Sequence, residues 1–201
     1  MSIEAQAALE ATLKDEIFRM YDEVAENPSG KFHFFHGREA AELFGYDREA
    51  LDEAPAGAVA SFAGVGNPHL RAEFQPGEVV LDLGSGAGLD AIMASRRVGP
   101  TGRVIGVDMN PAMCRKVEVH ATASGQQLEC RQGTMEAIPV PDATVDVIIS
   151  NGVINLSFRK RRVMEEMFRV LKPGGRISIT DIVSGKQLSQ NIVNDPKLWA
   201  S

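Results

Sequence analysis

The stretch EVVLDLGSGAG, residues 78–88, decides the fold of this chain. Its first half is β-branched and apolar and predicts a short buried strand. Its second half is rich in glycine, which lets the backbone turn tightly and approach a ligand closely. A helical pattern follows at once, and the N-terminus of a helix offers free N–H groups to a polar or anionic ligand. The stretch therefore predicts a strand, a turn and a helix, with a ligand at the turn.

Four more strand-like runs follow, at residues 102–108, 128–133, 145–150 and 176–182. Helical patterns separate most of them. Strands that alternate with helices form a parallel sheet that is covered on both faces and has right-handed crossovers. The sequence thus predicts an α/β fold, a Rossmann-like doubly wound sheet in which five strands can be counted.

Three helices are expected between the strands, and the first covers residues 91–98. Asn110-Pro111 opens the second as its N-cap and first residue, and Gly125 closes it. The third ends at Pro-Gly-Gly, residues 173–175. It carries an apolar stripe that we expect to be buried: Val163, Met164, Met167, Phe168 and Leu171.

The chain before the sheet predicts a helical extension. Residues 1–27 repeat apolar side chains at helical spacing, a second helix is expected near residues 38–44, and residues 47–60 predict short helix and loop. His33 and His36 have no third ligand in view, so we predict no metal site.

Composition limits the function. The formal charge is −6 and the pI about 5.3, whereas a nucleic-acid binder needs a basic face. Two cysteines make no disulfide framework, no apolar run is long enough to span a bilayer, and the first residues do not resemble a signal peptide. We therefore expect a cytoplasmic protein that acts on a small molecule, without nucleic-acid or membrane partners. The oligomeric state stays open.

Ligands of such sheets bind at the carboxyl ends of the strands. The first strand ends in Asp82, Gly84, Gly86 and Gly88, and the second ends about twenty residues later in Asp108, a position suited to hold ribose hydroxyls. A dinucleotide fingerprint would place a third glycine where the chain has Leu89. This spacing favours a ligand with a carboxylate and a ribose but no pyrophosphate.

The third strand is followed by Gly-Thr-Met-Glu, residues 133–136, and the fourth by SNGVINL, residues 150–156. Simpler interpretations remain open at this point. Asn151-Gly152 could be an ordinary turn, Asn67-Pro68 could only start a helix, and Asp82 could only hydrogen-bond the glycine turn.

Several segments in the same order resemble the successive motifs of S-adenosylmethionine-dependent methyltransferases. They are LDLGSGAGLD, VIGVDMNP, EAIPVPDATVDVIISN and RVLKPGGRISITD, and the resemblance covers roughly residues 76–184. SFAGVGNP, SNGVINL and NDPKLWA narrow it to the arsenite methyltransferase branch. The resemblance implies a helical arm or cap (1–70), a domain that binds S-adenosylmethionine (71–184) and a tail (185–201).

The resemblance also implies roles for single residues. Those that would bind the cofactor are Asp82, Gly84, Ser85, Gly86 and Gly88 around its methionine part, Asp108 at the ribose, Met109, Met135 and Glu136 around the adenine, and Asn151 beneath the sulfonium. Those expected around the acceptor pocket are Val65, Gly66, Asn67 and Gly152. We expect the loop of residues 61–68 to close over the cofactor.

The chain departs from this branch in two respects. Arsenite methyltransferases typically have cysteines where this chain has Val65 and Gly152, and a further one after the NDPKLW segment. The two cysteines that are present, Cys114 and Cys130, are expected to be buried, inert thiols that do not replace the missing ones. The fold usually has seven strands and only five can be counted here, so the C-terminal hairpin is expected to be absent, either because the chain is a truncated form or because the enzyme functions without it.

The resulting expectation is a methyltransferase for a small acceptor that lacks the arsenic-binding cysteines. Two alternatives stay open: a methyltransferase for a quinone-like or sterol-like molecule, and a protein that binds S-adenosylmethionine without turnover.

Overall fold

A computed structural model describes residues 3–27, 30, 32 and 34–186. Three predictions concern residues outside these ranges. They are the role of His33, the NDPKLWA motif, and most of the tail, including the expected absence of a C-terminal hairpin.

The predicted sheet is confirmed. Its five parallel strands have the order β3-β2-β1-β4-β5. They are β1 (Val79–Leu83), β2 (Arg103–Asp108), β3 (Leu128–Gln132), β4 (Val145–Asn151) and β5 (Leu171–Thr180). The chain leaves β1 in one direction to β2 and returns on its other side with β4, so the strand order reverses between β1 and β4. A ligand site is expected at that reversal.

Helices cover both faces of the sheet. They are α1 (Ile3–Glu26), α2 (Gly37–Leu43), α3 (Arg48–Glu53), α4 (Ala56–Ala60), α5 (His69–Ala72), α6 (Leu89–Val98), α7 (Pro111–Ala123) and α8 (Lys160–Val170). A 3₁₀ turn, Ile154–Leu156, follows β4. As predicted, Asn110 caps α7, since its side chain accepts a hydrogen bond from Ala112 N. No described helix is long and apolar enough to cross a membrane.

Alternate residues of the strands enter two separate cores. Leu81 and Ile148 lie on one face and pack with Val163 and Met167 of α8. Val80, Val104, Val147 and Ile149 lie on the other, with Ala91 and Ala94 of α6. Burial on both faces explains why these strands are apolar almost throughout.

The predicted stripe of the last helix was half wrong. Val163 and Met167 are buried, but Met164 is 42% exposed and Phe168 83% exposed. Leu171 is half-buried and belongs to β5 and not to the helix, and Val170, which was not predicted, is buried. The buried face of α8 is formed by Val163, Glu166, Met167 and Val170, so Met164 and Phe168 lie outside it.

Strand β5 also begins earlier than expected. Leu171 pairs with Val145, and the next pair, Arg176 with Val147, skips four residues of β5. The Pro-Gly-Gly segment therefore bulges out of the ladder, and regular pairing begins at residue 176, where the strand was predicted to start.

The N-terminal helices lie over the carboxyl edge of the sheet. In α1, Leu13 and Ile17 pack with Met109 and Leu156, and Val24 packs with Met113. The segment from α2 to α4 forms a cluster with α6. The predicted helical extension is thus observed, and it encloses the edge where a ligand is expected.

Candidate active site

The glycine turn after β1 is held by the neighbouring strand. The N–H groups of Gly84 and Ser85 both donate to the carbonyl of Val107, at 2.8 and 3.1 Å. Gly84 has a φ of +76°, and a Cβ placed there would lie 2.6 Å from the side chain of Val153. A side chain at this position would therefore be strained and would collide, which explains the glycine.

Asp108, at the end of β2, braces this turn. Its Oδ2 accepts from Gly86 N and its Oδ1 from Asn110 N, each at 2.9 Å. Burial raises the pKa of Asp108, although its backbone hydrogen bonds counteract the rise. A carboxylate can accept about four hydrogen bonds, so Asp108 keeps acceptor capacity for a ligand's hydroxyls.

A cavity opens between the glycine turn, α1 and the end of β4. Nine of the ten residues predicted to bind the cofactor line it: Gly84, Ser85, Gly86, Gly88, Asp108, Met109, Met135, Glu136 and Asn151. They come from the ends of four strands that are distant in sequence. The fold thus brings these predicted residues to one place.

Asp82, the tenth, lies behind the cavity wall. It is 2% exposed, and its Oδ2 has no hydrogen-bond partner within the described part of the chain. Burial and the negative charges of Asp90 and Asp108 raise its pKa well above the usual range, while a hydrogen bond from the backbone of Ala91 lowers it. This bond joins the Asp82 side chain to α6.

The remaining wall is mainly apolar and aromatic. Helix α1 contributes Lys14, Ile17, Phe18 and Tyr21, and other lining residues include Ala58, Ser61, Phe62, Val153 and Leu156. Burial and the carboxylates of Asp108 and Asp181 raise the pKa of Tyr21 to about 12. Its hydroxyl therefore stays protonated at neutral pH and can donate a hydrogen bond.

Asn151 is the last residue of β4, and its side chain holds the loop of residues 61–68 at Val65 and Gly66. Its Oδ1 accepts from Val65 N at 2.9 Å and Gly66 N at 3.2 Å, and from the hydroxyl of Thr180 at 2.8 Å. The Asn-Gly pair is therefore more than an ordinary turn: the amide links the loop to two strands beside the cavity.

A polar cluster that sequence reasoning missed adjoins this amide. Asn151 Nδ2 lies within hydrogen-bonding distance of Gly66 O, Asp90 Oδ2 and the hydroxyl of Tyr46. His69 also contacts Asp90. In sequence, Asp90 looks like an acid that complements a helix N-terminus, and Tyr46 and His69 lie in segments without a recognised chemical motif. No local signal could have united them.

The four residues predicted around the acceptor pocket are not among the described residues that line the cavity. Val65 packs beside Gly152, where a Cβ would lie 3.3 Å from its Cγ1. Asn67 Oδ1 accepts from His69 N at the start of α5, and its Nδ2 donates to Gly45 O. Asn67 thus supports the start of α5 as in the simpler interpretation, but the N-cap is Pro68 and not Asn67. The cavity is lined instead by the preceding residues 61–64.

Gly66 offers a direct test of this loop. A Cβ at Gly66 would lie 2.8 Å from Cβ of Thr180. We expect Gly66→Val to lower the stability of the ligand-free protein by about 1–3 kcal/mol, because overpacking forces the loop away from β5. Thermal unfolding measures this loss, and calorimetry with S-adenosylmethionine measures any effect on the cavity. An unchanged melting temperature would contradict the packing seen at Thr180.

The two thiols lie beneath the glycine turn. Cys114 is buried and Cys130 half-buried, and burial raises the pKa of both thiols. Protonated thiols are poor nucleophiles and ligands. Cys114 is buried as expected and Cys130 is less buried than expected, and neither is among the described residues that line the cavity, so the inertness of the thiols stays a prediction.

Comparison with known proteins agrees with this geometry. The model of a methyltransferase domain family matches residues 74–201. A crystal structure of CrArsM, an arsenic(III) S-adenosylmethionine methyltransferase from Chlamydomonas reinhardtii, is similar with a TM-score of 0.69 and 38% identity. The similarity covers 75% of this chain and 53% of that one.

Two kinds of curated relative are similar in sequence. An arsenite methyltransferase of Halobacterium salinarum is 43% identical over 157 residues, which are 78% of this chain and 40% of the relative. A ubiquinone/menaquinone biosynthesis C-methyltransferase UbiE of Salmonella arizonae is 41% identical over 108 residues, 52% of this chain and 43% of the relative. The chain thus spans less than half the length of either. The family match, the sheet and the glycine turn together establish that this chain belongs to the methyltransferase domain family, whose cofactor is S-adenosylmethionine.

Proposed function

We propose that this chain binds S-adenosylmethionine in the cavity and transfers its methyl group to a small acceptor. The observation that carries the proposal is the convergence of the glycine turn, Asp108 and Asn151 on one cavity at the point where the strand order reverses.

The charges around the cavity fit this cofactor. S-adenosylmethionine has two positively charged groups, a sulfonium and an ammonium, and one negatively charged carboxylate, so its net charge is positive. Asp90, Asp108 and Glu136 line the cavity, whereas Lys14 is the only lysine or arginine among the described lining residues. A cavity with an excess of carboxylates favours a ligand of net positive charge.

The residues of the chain would divide the work as follows. Asp108 accepts hydrogen bonds from the ribose hydroxyls, and Met109 and Met135 pack against the adenine. When bound, the cofactor supplies an electrophilic methyl group. The apolar wall of α1 and residues 61–64 excludes water and aligns the acceptor, and effective molarities of about 10⁵ M or more can come from such positioning.

Among the described residues that line the cavity, no side chain is placed as a free general base, since Asp90 is held by Tyr46 and Asn151. The carboxylate of Glu136 is engaged, since it accepts from Ser157 Oγ at 2.5 Å, and Tyr21 stays protonated. Asp108 is held by Gly86 and Asn110. We therefore infer an acceptor that attacks through its own lone pair and needs no deprotonation by this cavity, whereas a carbon acceptor would have to release its proton to solvent.

A second candidate is a methyltransferase for an apolar, quinone-like or sterol-like acceptor. The wall formed by Ile17, Phe18, Phe62, Val153 and Leu156 favours it, because apolar and aromatic side chains line most sites for such molecules. The similarity to the UbiE protein agrees with it.

Two measurements test these proposals. Calorimetry should detect S-adenosylmethionine binding, and formation of S-adenosylhomocysteine should be followed with arsenite plus glutathione and with a reduced quinone as separate acceptors. Binding without product from either acceptor would favour a protein that binds the cofactor without turnover. No binding would refute the proposal.

Arsenite should be a poor acceptor for residues 1–201. Soft metalloids are held by sulfur ligands, and the positions where the resembling branch has cysteines are Val65 and Gly152. These positions adjoin, since a Cβ at Gly152 would lie 3.3 Å from Val65 Cγ1. We expect the double variant Val65→Cys, Gly152→Cys to retain trivalent arsenic, as measured by arsenic content after desalting.

The two single variants are the controls, because one thiol should retain far less arsenic than two. Gly152 has a φ of +77°, so a cysteine there costs about 1–3 kcal/mol of strain, and folding should be checked in parallel. Efficient arsenite methylation by the parent chain would contradict this prediction.

A further inference from the structure

A buried polar network joins the N-terminal helices to the carboxyl edge of the sheet. At its centre, Asp90 accepts from the hydroxyl of Tyr46 at 2.5 Å and from Asn151 Nδ2 at 3.1 Å, and it contacts His69 Nε2 at 2.9 Å. Tyr46 is 5% and Asp90 8% exposed. Bonds of this kind in a buried setting are strong, and leaving one partner unpaired is costly.

Tyr46 acts on the cavity only through its neighbours. Asp90 and Asn151 line the cavity, whereas Tyr46 is not among the described residues that do so. Its ring makes edge contacts with Phe62 and His69, with centroids 5.1 and 6.0 Å apart. The ring is thus anchored by packing, and the hydroxyl is directed at Asp90 and Asn151.

Asn151 passes this constraint to the loop beside the cavity. Its Oδ1 accepts from the N–H groups of Val65 and Gly66. At Gly64 the loop backbone lies directly on the amide, since a Cβ there would be 2.2 Å from Asn151 Nδ2. Residues 61–64 line the cavity, so a shift of the Asn151 amide would displace this part of its wall.

We propose that Tyr46 is a positioning residue for the methyl-transfer reaction: its hydroxyl fixes Asp90 and Asn151, and these hold the wall of residues 61–64 in place beside the reacting groups. This inference rests on the proposed function. The glycine turn is held by Val107 and Asp108 without Tyr46, so cofactor affinity should depend little on the hydroxyl. The rate of transfer should depend on it more, because transfer requires alignment of the acceptor.

The variant Tyr46→Phe keeps the ring and removes only the hydroxyl. We expect amide hydrogen exchange at Val65 and Gly66 to become about tenfold faster, because their acceptor on Asn151 is less well held. The dissociation constant of S-adenosylmethionine should stay within about threefold. Formation of S-adenosylhomocysteine, measured with whichever of arsenite plus glutathione or a reduced quinone the parent uses faster, should fall about tenfold.

Val104→Ala is the matched control. Val104 is a fully buried residue of β2 that packs in the core between the sheet and α6. It takes no part in the polar network and is not among the described residues that line the cavity. It should lower stability while leaving the amides of Val65 and Gly66 and the transfer rate close to those of the parent. A merely structural role of Tyr46 would make the two variants alike once they are compared at equal stability.

Two results would overturn the inference: unchanged exchange at Val65 and Gly66 in Tyr46→Phe, or an equal loss of turnover in both variants. Failure of the parent to bind S-adenosylmethionine or to turn over is a different outcome, which refutes the proposed function. In that case the positioning role in methyl transfer is refuted as well. The amide exchange rates of Val65 and Gly66 in the parent and in Tyr46→Phe then still show whether Tyr46 holds the loop.

Discussion

Replacing Asp108 by alanine is expected to weaken S-adenosylmethionine binding by about 3 kcal/mol, roughly a hundredfold. The carboxylate has two tasks. It would accept the ribose hydroxyls, and it holds the glycine turn and the start of α7 through Gly86 N and Asn110 N. Its loss therefore removes ligand contacts and loosens the turn that forms the cavity floor. Titration calorimetry of the parent and the variant measures the difference.

Asp146→Ala is the control for this experiment. The carboxylate of Asp146, like that of Asp108, accepts a hydrogen bond from a backbone N–H, that of Val79, at 2.8 Å. It also forms a salt bridge with Lys172. It lies at the amino end of β4, on the opposite edge of the sheet from the cavity. Its replacement should lower stability and leave cofactor affinity unchanged. Equal affinity of Asp108→Ala and the parent would sink the assignment, as would tighter binding of NADH than of S-adenosylmethionine.

Asn151→Ala should lower the free energy of unfolding by about 3 kcal/mol. One side chain serves the N–H groups of Val65 and Gly66, the carboxylate of Asp90 and the hydroxyl of Thr180. Alanine leaves these partly buried groups without their partner. Urea denaturation of the ligand-free protein measures the change.

Asn155→Ala provides the comparison. Asn155 is exposed, and its amide bonds Asp181 at 3.0 Å. Solvent can replace that bond, so the loss should stay below about 1 kcal/mol. If both variants lose the same stability, the side chain of Asn151 does not hold the loop as described.

The sheet and the cofactor side of the site could be predicted because their signals are local. The glycine turn follows its strand directly, and Asp108 comes at a fixed distance along the chain, so spacing alone indicates their shared edge. Asn151 ends β4, and Met135 and Glu136 lie in the loop after β3, so the same rule places them at this edge, while their roles come from the resemblance.

The Tyr46–Asp90–Asn151 network could not be predicted in this way. Its hydrogen bonds join residues 44, 61 and 105 positions apart, and only the packing of the N-terminal helices on α6 brings them together. The prediction that Met164 and Phe168 of α8 are buried was wrong for a related reason. Helical periodicity indicates which residues share a face, but the burial of Phe168 depends on whether a neighbouring element covers that face.

The acceptor side stays a prediction at Val65, Gly66, Asn67 and Gly152. These residues are not among the described residues that line the cavity, whereas residues 61–64 are. They can influence the acceptor through the position of the loop, and direct contact requires that the loop move.

Helix α1 forms one wall of the cavity with Lys14, Ile17, Phe18 and Tyr21. A ligand that touches both this helix and the glycine turn binds only the form in which the helix is docked. At a ligand concentration of a hundred times Kd, such linkage adds about 2.7 kcal/mol to docking. A protease cleaves within helix α1 only when the helix is undocked. The cleavage rate should therefore fall as the fraction of protein with bound ligand rises.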